Sequence, residues 1–156
     1  MPLEIERKFL LLSEGWRSHV SHSAHLTDGL IAAAPDGRKV RVRIADDQAT
    51  LTVKGARRGL ARDEFEYPIP LADARSLLAN HCAGIVIDKT RHFVPQGNVT
   101  WEIDCYHGAL AGIEVAEIEL ASIDQAFDRP DWLGEEVTGR EEWRKISLIR
   151  AHMAVA

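Results

Sequence analysis

The chain is expected to fold as a mainly β (α+β) domain, an antiparallel barrel with a few helices packed outside. Three observations predict this. Residues of alternating character recur in about eight short runs. Tight turn signals separate most of them, which favours antiparallel pairing. Only a few stretches carry helical spacing, and closing the sheet removes its edges.

Leu3–Leu12 begins the pattern as a strand, with Glu4, Glu6 and Lys8 on one face and Ile5, Arg7 and Phe9 on the other. Ser13 is placed to cap a short helix running to Val20. Ala24–Ala33 reads as extended, and Pro35-Asp36-Gly37 as a turn. Arg38–Ala45 and Ala49–Lys54 make a hairpin around Asp46-Asp47, followed by a basic loop, Gly55–Gly59, and a strand over Arg62–Ile69. Ala72–Cys82 has the apolar spacing of a helix. Ile85–Val94 and Val99–Tyr106 are strands about a Pro95-Gln96-Gly97-Asn98 turn, and Gly112–Ala121 is the last clear strand. Ser122 and Gln125 form a capping-box pattern for a short helix. Asp128–Gly139 reads as irregular, and Glu141–Met153 as a terminal helix.

The 156 residues suit a single domain, 1–156, with no internal boundary or repeat. A net charge of −5 argues against a general nucleic-acid binder. Cys82 and Cys105 show no CxxC spacing, the first residues lack a signal-peptide pattern, and no apolar run approaches the roughly 20 residues that span a bilayer. A reduced, cytoplasmic protein without membrane association is expected.

Paired charges occupy one face of nearly every strand: Arg41 and Arg43; Lys54; Arg62, Glu64 and Glu66; Lys89 and Arg91; Glu102 and Asp104; Glu117 and Glu119. An antiparallel sheet with one wet face would also look like this. Like charges about 7 Å apart repel by only ~0.6 kcal/mol in water but by ~2.4 kcal/mol at an effective dielectric of 20. Water is therefore the less costly location. Against that stand two features: the faces are almost purely ionisable, and the signs are sorted by strand, whereas solubility alone intersperses them. Divalent cations would neutralise the acid pairs, and a polyanion the Arg and Lys pairs. The pattern alone leaves the wet face and the metal–polyphosphate site balanced.

In order along the chain, E-I-E-R-K (4–8), V-R-V-R (40–43), L-T-V-K-G (51–55), E-F-E-Y-P-I-P-L (64–71), K-T-R (89–91), W-E-I-D (101–104), A-E-I-E-L (116–120) and P-D-W-L-G-E-E-V-T (130–138) resemble the CYTH, or triphosphate tunnel metalloenzyme, superfamily. The last stretch is similar to its compact bacterial branch. The resemblance implies an eight-stranded antiparallel closed barrel forming a tunnel with an ionisable lumen. It implies Mg²⁺ or Mn²⁺ as cofactor and a triphosphate-containing small molecule as partner, and leaves a homodimer open. Carried over, Lys8, Arg41, Arg43, Lys54, Lys89 and Arg91 hold phosphate oxygens, and Arg62 shares their parity. Glu4, Glu6, Asp104, Glu117 and Glu119 hold metal, with Glu64, Glu66 and Glu102 as further lumen acids; Glu4, Glu6 and Lys8 are the catalytic set. The implied reaction is metal-dependent hydrolysis of inorganic triphosphate. An adenylate cyclase and a non-catalytic polyphosphate- or nucleotide-binding module are the alternatives.

Two stretches depart from the family pattern. Gln-Gly-Tyr-Leu on the second strand is here Thr27-Asp28-Gly29-Leu30, which removes a tyrosine neighbour of Lys8. After E-V-T the chain reads Gly139-Arg140-Glu141-Glu142-Trp143-Arg144-Lys145, with Trp143 as a replacement aromatic and Arg144 or Lys145 as an added phosphate contact. His19, His22 and His25 read as exposed and unrelated, and Cys82, Cys105, Trp16 and Trp132 as packing residues. Gly55–Gly59 lacks a P-loop pattern, so Arg57 and Arg58 read as solvated.

Overall fold

In a computed structural model, which describes residues 3–143, the chain forms nine strands and one α-helix. The strands are β1 (Leu3–Leu11), β2 (His22–Ala33), β3 (Lys39–Ala45), β4 (Gln48–Lys54), β5 (Ala61–Pro68), β6 (Ala83–Gln96), β7 (Val99–Tyr106), β8 (Glu114–Glu119) and β9 (Leu133–Glu136). The helix, α1 (Leu71–Asn80), joins β5 to β6. Eight strands form an antiparallel ring in the order β1-β5-β4-β3-β2-β6-β7-β8, closed where β1 pairs with both β5 and β8. The expected closed barrel is therefore present. No helix among the described residues is long and apolar enough to cross a membrane.

The barrel is built inside out relative to a sandwich. The apolar parity of most strands faces outward and much of it is covered by other parts of the chain, although Val53 and Tyr67 stay exposed, while the ionisable parity faces the lumen. Ile5, Phe9, Val94, Trp101, Ile103 and Ile118 are buried beneath Trp16 and Trp132 on one side of the wall. Trp101 meets Phe9, Phe127 and Trp132 edge-on with ring centroids 5.5–5.6 Å apart, and each such pair is worth ~0.5–1.5 kcal/mol beyond its buried area. On the other side α1 lays Ala74, Leu77 and Leu78 over Val42, Ile44 and Ala49. Gly29 permits this approach: a Cβ there would stand 2.6 Å from Cys82 Sγ and 2.7 Å from a Leu78 methyl. Arg7, a charge on the outward parity, is matched by two hydrogen bonds to Glu136 of β9, at 2.8 and 2.6 Å.

Several element expectations are corrected. Leu133–Glu136 is a strand rather than irregular chain; β9 pairs with the end of β1, along the flank that β5 occupies at its beginning. Four residues containing Gly134 are too short to show an alternating pattern, and Gly134 is required because a Cβ would stand 2.9 Å from the Leu10 carbonyl oxygen. Ser122 and Gln125 form a turn, not a capped helix: the Gln125 side-chain oxygen accepts from the Ala121 N–H at 2.6 Å and fixes the chain there. Gly15–His19 is a single 3₁₀ turn, and Ser13 Oγ accepts only from Gly15 N–H, at 3.3 Å. β6 runs through Pro95 and Gln96, so its turn is the pair Gly97-Asn98, with Gly97 at φ +58°. Of the expected terminal helix, Glu141–Trp143 forms one 3₁₀ turn, and the rest lies outside the described residues, as do Arg144 and Lys145.

Candidate functional site: a charged lumen

Alternation along each strand sends every second side chain inward, and the ionisable ones meet around a cavity of about 400 Å³. Glu6, Lys8, Arg41, Arg43, Lys54, Arg62, Glu64, Glu66, Arg91, Glu102, Glu117 and Glu119 all line it. The charged faces thus turn inward, and the wet-face alternative does not hold. Glu4, Lys89 and Asp104 do not line the cavity; they are buried in its wall at 5%, 0% and 0% exposure. Beyond Lys89 the inward positions become apolar, with Ile87, Tyr106 and Val115 packed together and the Lys89 ammonium 5.3 Å from the centre of the Tyr106 ring.

Carboxylates gather at one place. Oxygens of Glu4, Glu6 and Glu119 lie within 4.8 Å of one another, the geometry of a group able to hold a cation. Burial, reinforced by the neighbouring Glu117 and Glu4 charges, raises the Glu6 carboxyl from its ordinary 4.5 to about 8. Burial also raises Glu119, reinforced by Glu4. Burial opposes ionisation of Glu4 too, but a hydrogen bond shared with Glu64 and the Lys54 ammonium, 2.9 Å away, outweigh it and hold the group at about 2. Glu64 is its counterpart, raised to about 7 by burial and by that same hydrogen bond.

Elsewhere in the wall, cations and acids are committed to each other. Asp104 accepts from Arg91 at 2.8 and 2.9 Å and from Lys89 at 2.7 Å, so both of its oxygens are engaged. Burial raises its pKa, but the Lys89 and Arg91 charges prevail and hold it at about 2. Arg91 also lies 2.9 Å from Glu102. Asp28, on the departing Thr27–Leu30 stretch, is 3% exposed and takes two hydrogen bonds from Arg43, at 2.6 and 2.8 Å. Lys8, without the family's tyrosine, is held by the Trp143 carbonyl at 3.2 Å and by Glu117 at 3.7 Å. Arg62 donates to the Gly37 and Gly55 carbonyls at 2.7 and 3.0–3.1 Å, tying two loops to the rim.

Sequence reasoning missed several cavity residues, among them Lys39, Arg57 and Leu30. Lys39 shares the parity of Arg41 and Arg43, a signal that was available. Arg57, read as solvated, faces the cavity from its loop, whereas Arg58 is exposed beside Asp63. Leu30 adds apolar wall. His19, His22 and His25 are exposed, and among the described residues the only three-ligand group is the Glu4–Glu6–Glu119 set. Cys105 packs against the apolar side of the wall and, pushed to about 12 by burial and the Glu114 carboxylate, is an inert thiol.

These shifts predict how the metal-free protein responds to pH. Glu6, Glu64, Glu102 and Glu119 are raised, so above about pH 4.5 the folded chain holds protons that the unfolded chain has released, and stability falls as pH rises. Glu4 and Asp104 are lowered, so they stabilise the fold above their ordinary values and that contribution is lost on acidification toward pH 2. Lys39, lowered to about 7, acts with the opposite sign to the raised acids only from about pH 7 upward. The Tm of chelator-treated protein is expected to peak near pH 5 and to drop by about 5 °C by pH 7. Scanning calorimetry that finds Tm rising from pH 5 to 7 would contradict this.

A closed barrel with acids and bases sorted around its lumen and three convergent carboxylates defines a tunnel able to receive a polyanion together with a cation. The CYTH domain family model matches residues 2–148. The chain is 37% identical over 150 residues to an inorganic triphosphatase of Acetivibrio thermocellus, across 96% of this chain and 95% of that protein. It is 32% identical over 149 residues to an inorganic triphosphatase of Nitrosomonas europaea, across 93% and 95%. A crystal structure of an inorganic triphosphatase superposes with a TM-score of 0.64 at 28% identity, across 96% of this chain and 95% of that one. The chain belongs to the CYTH domain family.

Proposed function

We infer that the protein is a metal-dependent inorganic triphosphatase, a hydrolase that cleaves triphosphate to pyrophosphate and phosphate within the barrel. The observation that carries this is a cavity lined by guanidinium and ammonium groups together with Glu6 and Glu119, two members of the three-carboxylate group whose third, Glu4, is buried in the wall. The donor set suits a hard divalent cation, Mg²⁺ or Mn²⁺: it is all carboxylate oxygen, and the burial and like-charge crowding that raise Glu6 to about 8 are what a cation would offset. Glu4, Glu6 and Glu119 would hold it, with Glu117 beside them and Asp104 contributing through the placement of Lys89 and Arg91. When bound, such a metal supplies charge neutralisation on phosphate oxygens and a more acidic water.

The chain's own residues supply the rest. Phosphoryl transfer needs neutralised equatorial oxygens and a stabilised leaving group, and little covalent chemistry from the protein. Arg41, Arg43, Lys54, Arg62 and Arg91 would bind the phosphate oxygens, and Lys8 would orient the chain from its position on the Trp143 carbonyl. Arg43 and Arg91 arrive already fixed by Asp28 and Asp104, so little side-chain freedom is lost on binding. We place the protein in the cytoplasm, in keeping with its free Cys82 and Cys105.

The test is phosphate release from inorganic triphosphate with Mg²⁺ or Mn²⁺, with ATP assayed in parallel. Release of phosphate and pyrophosphate is expected. Absence of turnover with either metal, or formation of cyclic AMP from ATP, would overturn the assignment.

A further inference from the structure

Almost every cation at the lumen already has a carboxylate or carbonyl partner. Lys8 lies beside Glu117, Lys54 beside Glu4 and Glu64, Arg43 beside Asp28, Arg91 beside Asp104 and Glu102, and Arg62 on two carbonyls. Two cations on β3 differ. Arg41 is 6% exposed, its hydrogen bond to Thr52 Oγ1 is a long 3.4 Å, and its Nε is buried without a partner among the described residues. Lys39, two residues earlier on the same inward parity, lines the cavity directly opposite Lys54 and makes no ion pair among the described residues. Arg41 is a buried cation without an ion-paired anion among the described residues, which is costly to keep, and Lys39 is half-buried beside it.

We propose that Lys39 is a further phosphate-binding residue, which with Arg41 forms a two-cation cradle on β3 that takes a phosphate group of the condensed-phosphate substrate. This rests on the triphosphatase reading of the same cavity. The two residues are about one strand repeat apart, roughly 7 Å, so both can reach one chain of linked phosphates. The direction of the electrostatics agrees. Burial, together with the Lys54, Arg62, Arg41 and Lys8 charges, lowers the Lys39 ammonium to about 7; the charged groups that disfavour its charge are cationic. An incoming polyphosphate supplies the missing anion. The other uncommitted rim cation, Arg57, is half-buried like Lys39 but sits on a loop, so it is less fixed than a strand residue.

The proposal is tested with Lys39→Met and Lys39→Arg. Losing a charge-assisted contact that forms only with substrate should raise the KM for triphosphate about 10- to 100-fold in the Met variant. Turnover should change less than about threefold, Tm should not fall, and the Arg variant should recover most of the affinity. Calorimetric titration with inorganic triphosphate in chelator reads binding without chemistry, and the Met variant should bind more weakly by a similar factor. A KM and affinity within twofold of the parent would overturn the role of Lys39, even if the parent is active. A loss of kcat with unchanged KM would overturn it as well. If the parent binds triphosphate without hydrolysing it, the titration still decides the matter for Lys39, while the triphosphatase reading alone fails.

Discussion

Glu6→Gln is expected to reduce metal-dependent triphosphate hydrolysis roughly 1,000-fold while raising the Tm of the metal-free protein by about 2–4 °C. Both effects come from one cause. Glu6 shares its oxygen cluster with Glu4 and Glu119, and Glu117 presses on it from the neighbouring strand, where Glu6 pairs with Glu119 and Lys8 with Glu117. Without a cation, ionising this carboxyl costs the fold free energy, which is why its pKa is pushed to about 8. Glutamine keeps the shape and removes the charge. The same charge is what a divalent cation needs, so metal-induced stabilisation should shrink along with activity. Activity assays beside paired melting curves, with chelator and with Mg²⁺ or Mn²⁺, check this. Full activity would remove Glu6 from the metal site. Lost activity with a lower metal-free Tm would mean that Glu6 serves the fold instead.

The strand pattern made the lumen legible but not its wiring. Parity along a strand is a local property, so Glu4 and Glu6, Arg41 and Arg43, and Glu117 and Glu119 could each be assigned to one face from the sequence. Which face was inside depended on closure, and sorted charges pointed there because an exterior face has no need to sort them. Partnership is non-local. That Asp28 would fix Arg43, or that Asp104 would be spent on Lys89 and Arg91, follows from register between β2 and β3 and between β6 and β7. The short β9 escaped for a related reason: its identity lies in Gly134 fitting against Leu10, not in a repeat of its own. Lys39 is a different case, since it lay inside the strand expected over Arg38–Ala45 and its parity with Arg41 and Arg43 was visible. Lys8 shows the converse: the tyrosine neighbour of the family pattern is missing, and a backbone carbonyl, which no side-chain pattern encodes, holds the ammonium.

Asp104→Asn is expected to destabilise the protein by about 3–5 kcal/mol, lowering Tm by roughly 10 °C even with no metal present. Asp104 is fully buried and receives three hydrogen bonds from two cations, one of which, Lys89, is itself 0% exposed. The amide keeps one acceptor and turns an N–H₂ donor toward donors. Lys89 would be left with Asp28 at 3.7 Å, a carboxylate already committed to Arg43. An uncompensated ammonium in the wall costs more than the original triad contributes, so adding Lys89→Met should return part of the loss. The double-mutant cycle separates two roles for the residue. If Asp104 were chiefly a metal ligand, its Asn variant would melt normally in chelator and lose only the stabilisation conferred by metal. If it chiefly holds Lys89 and Arg91 in place, the loss appears in chelator, and Lys89→Met restores stability without restoring turnover.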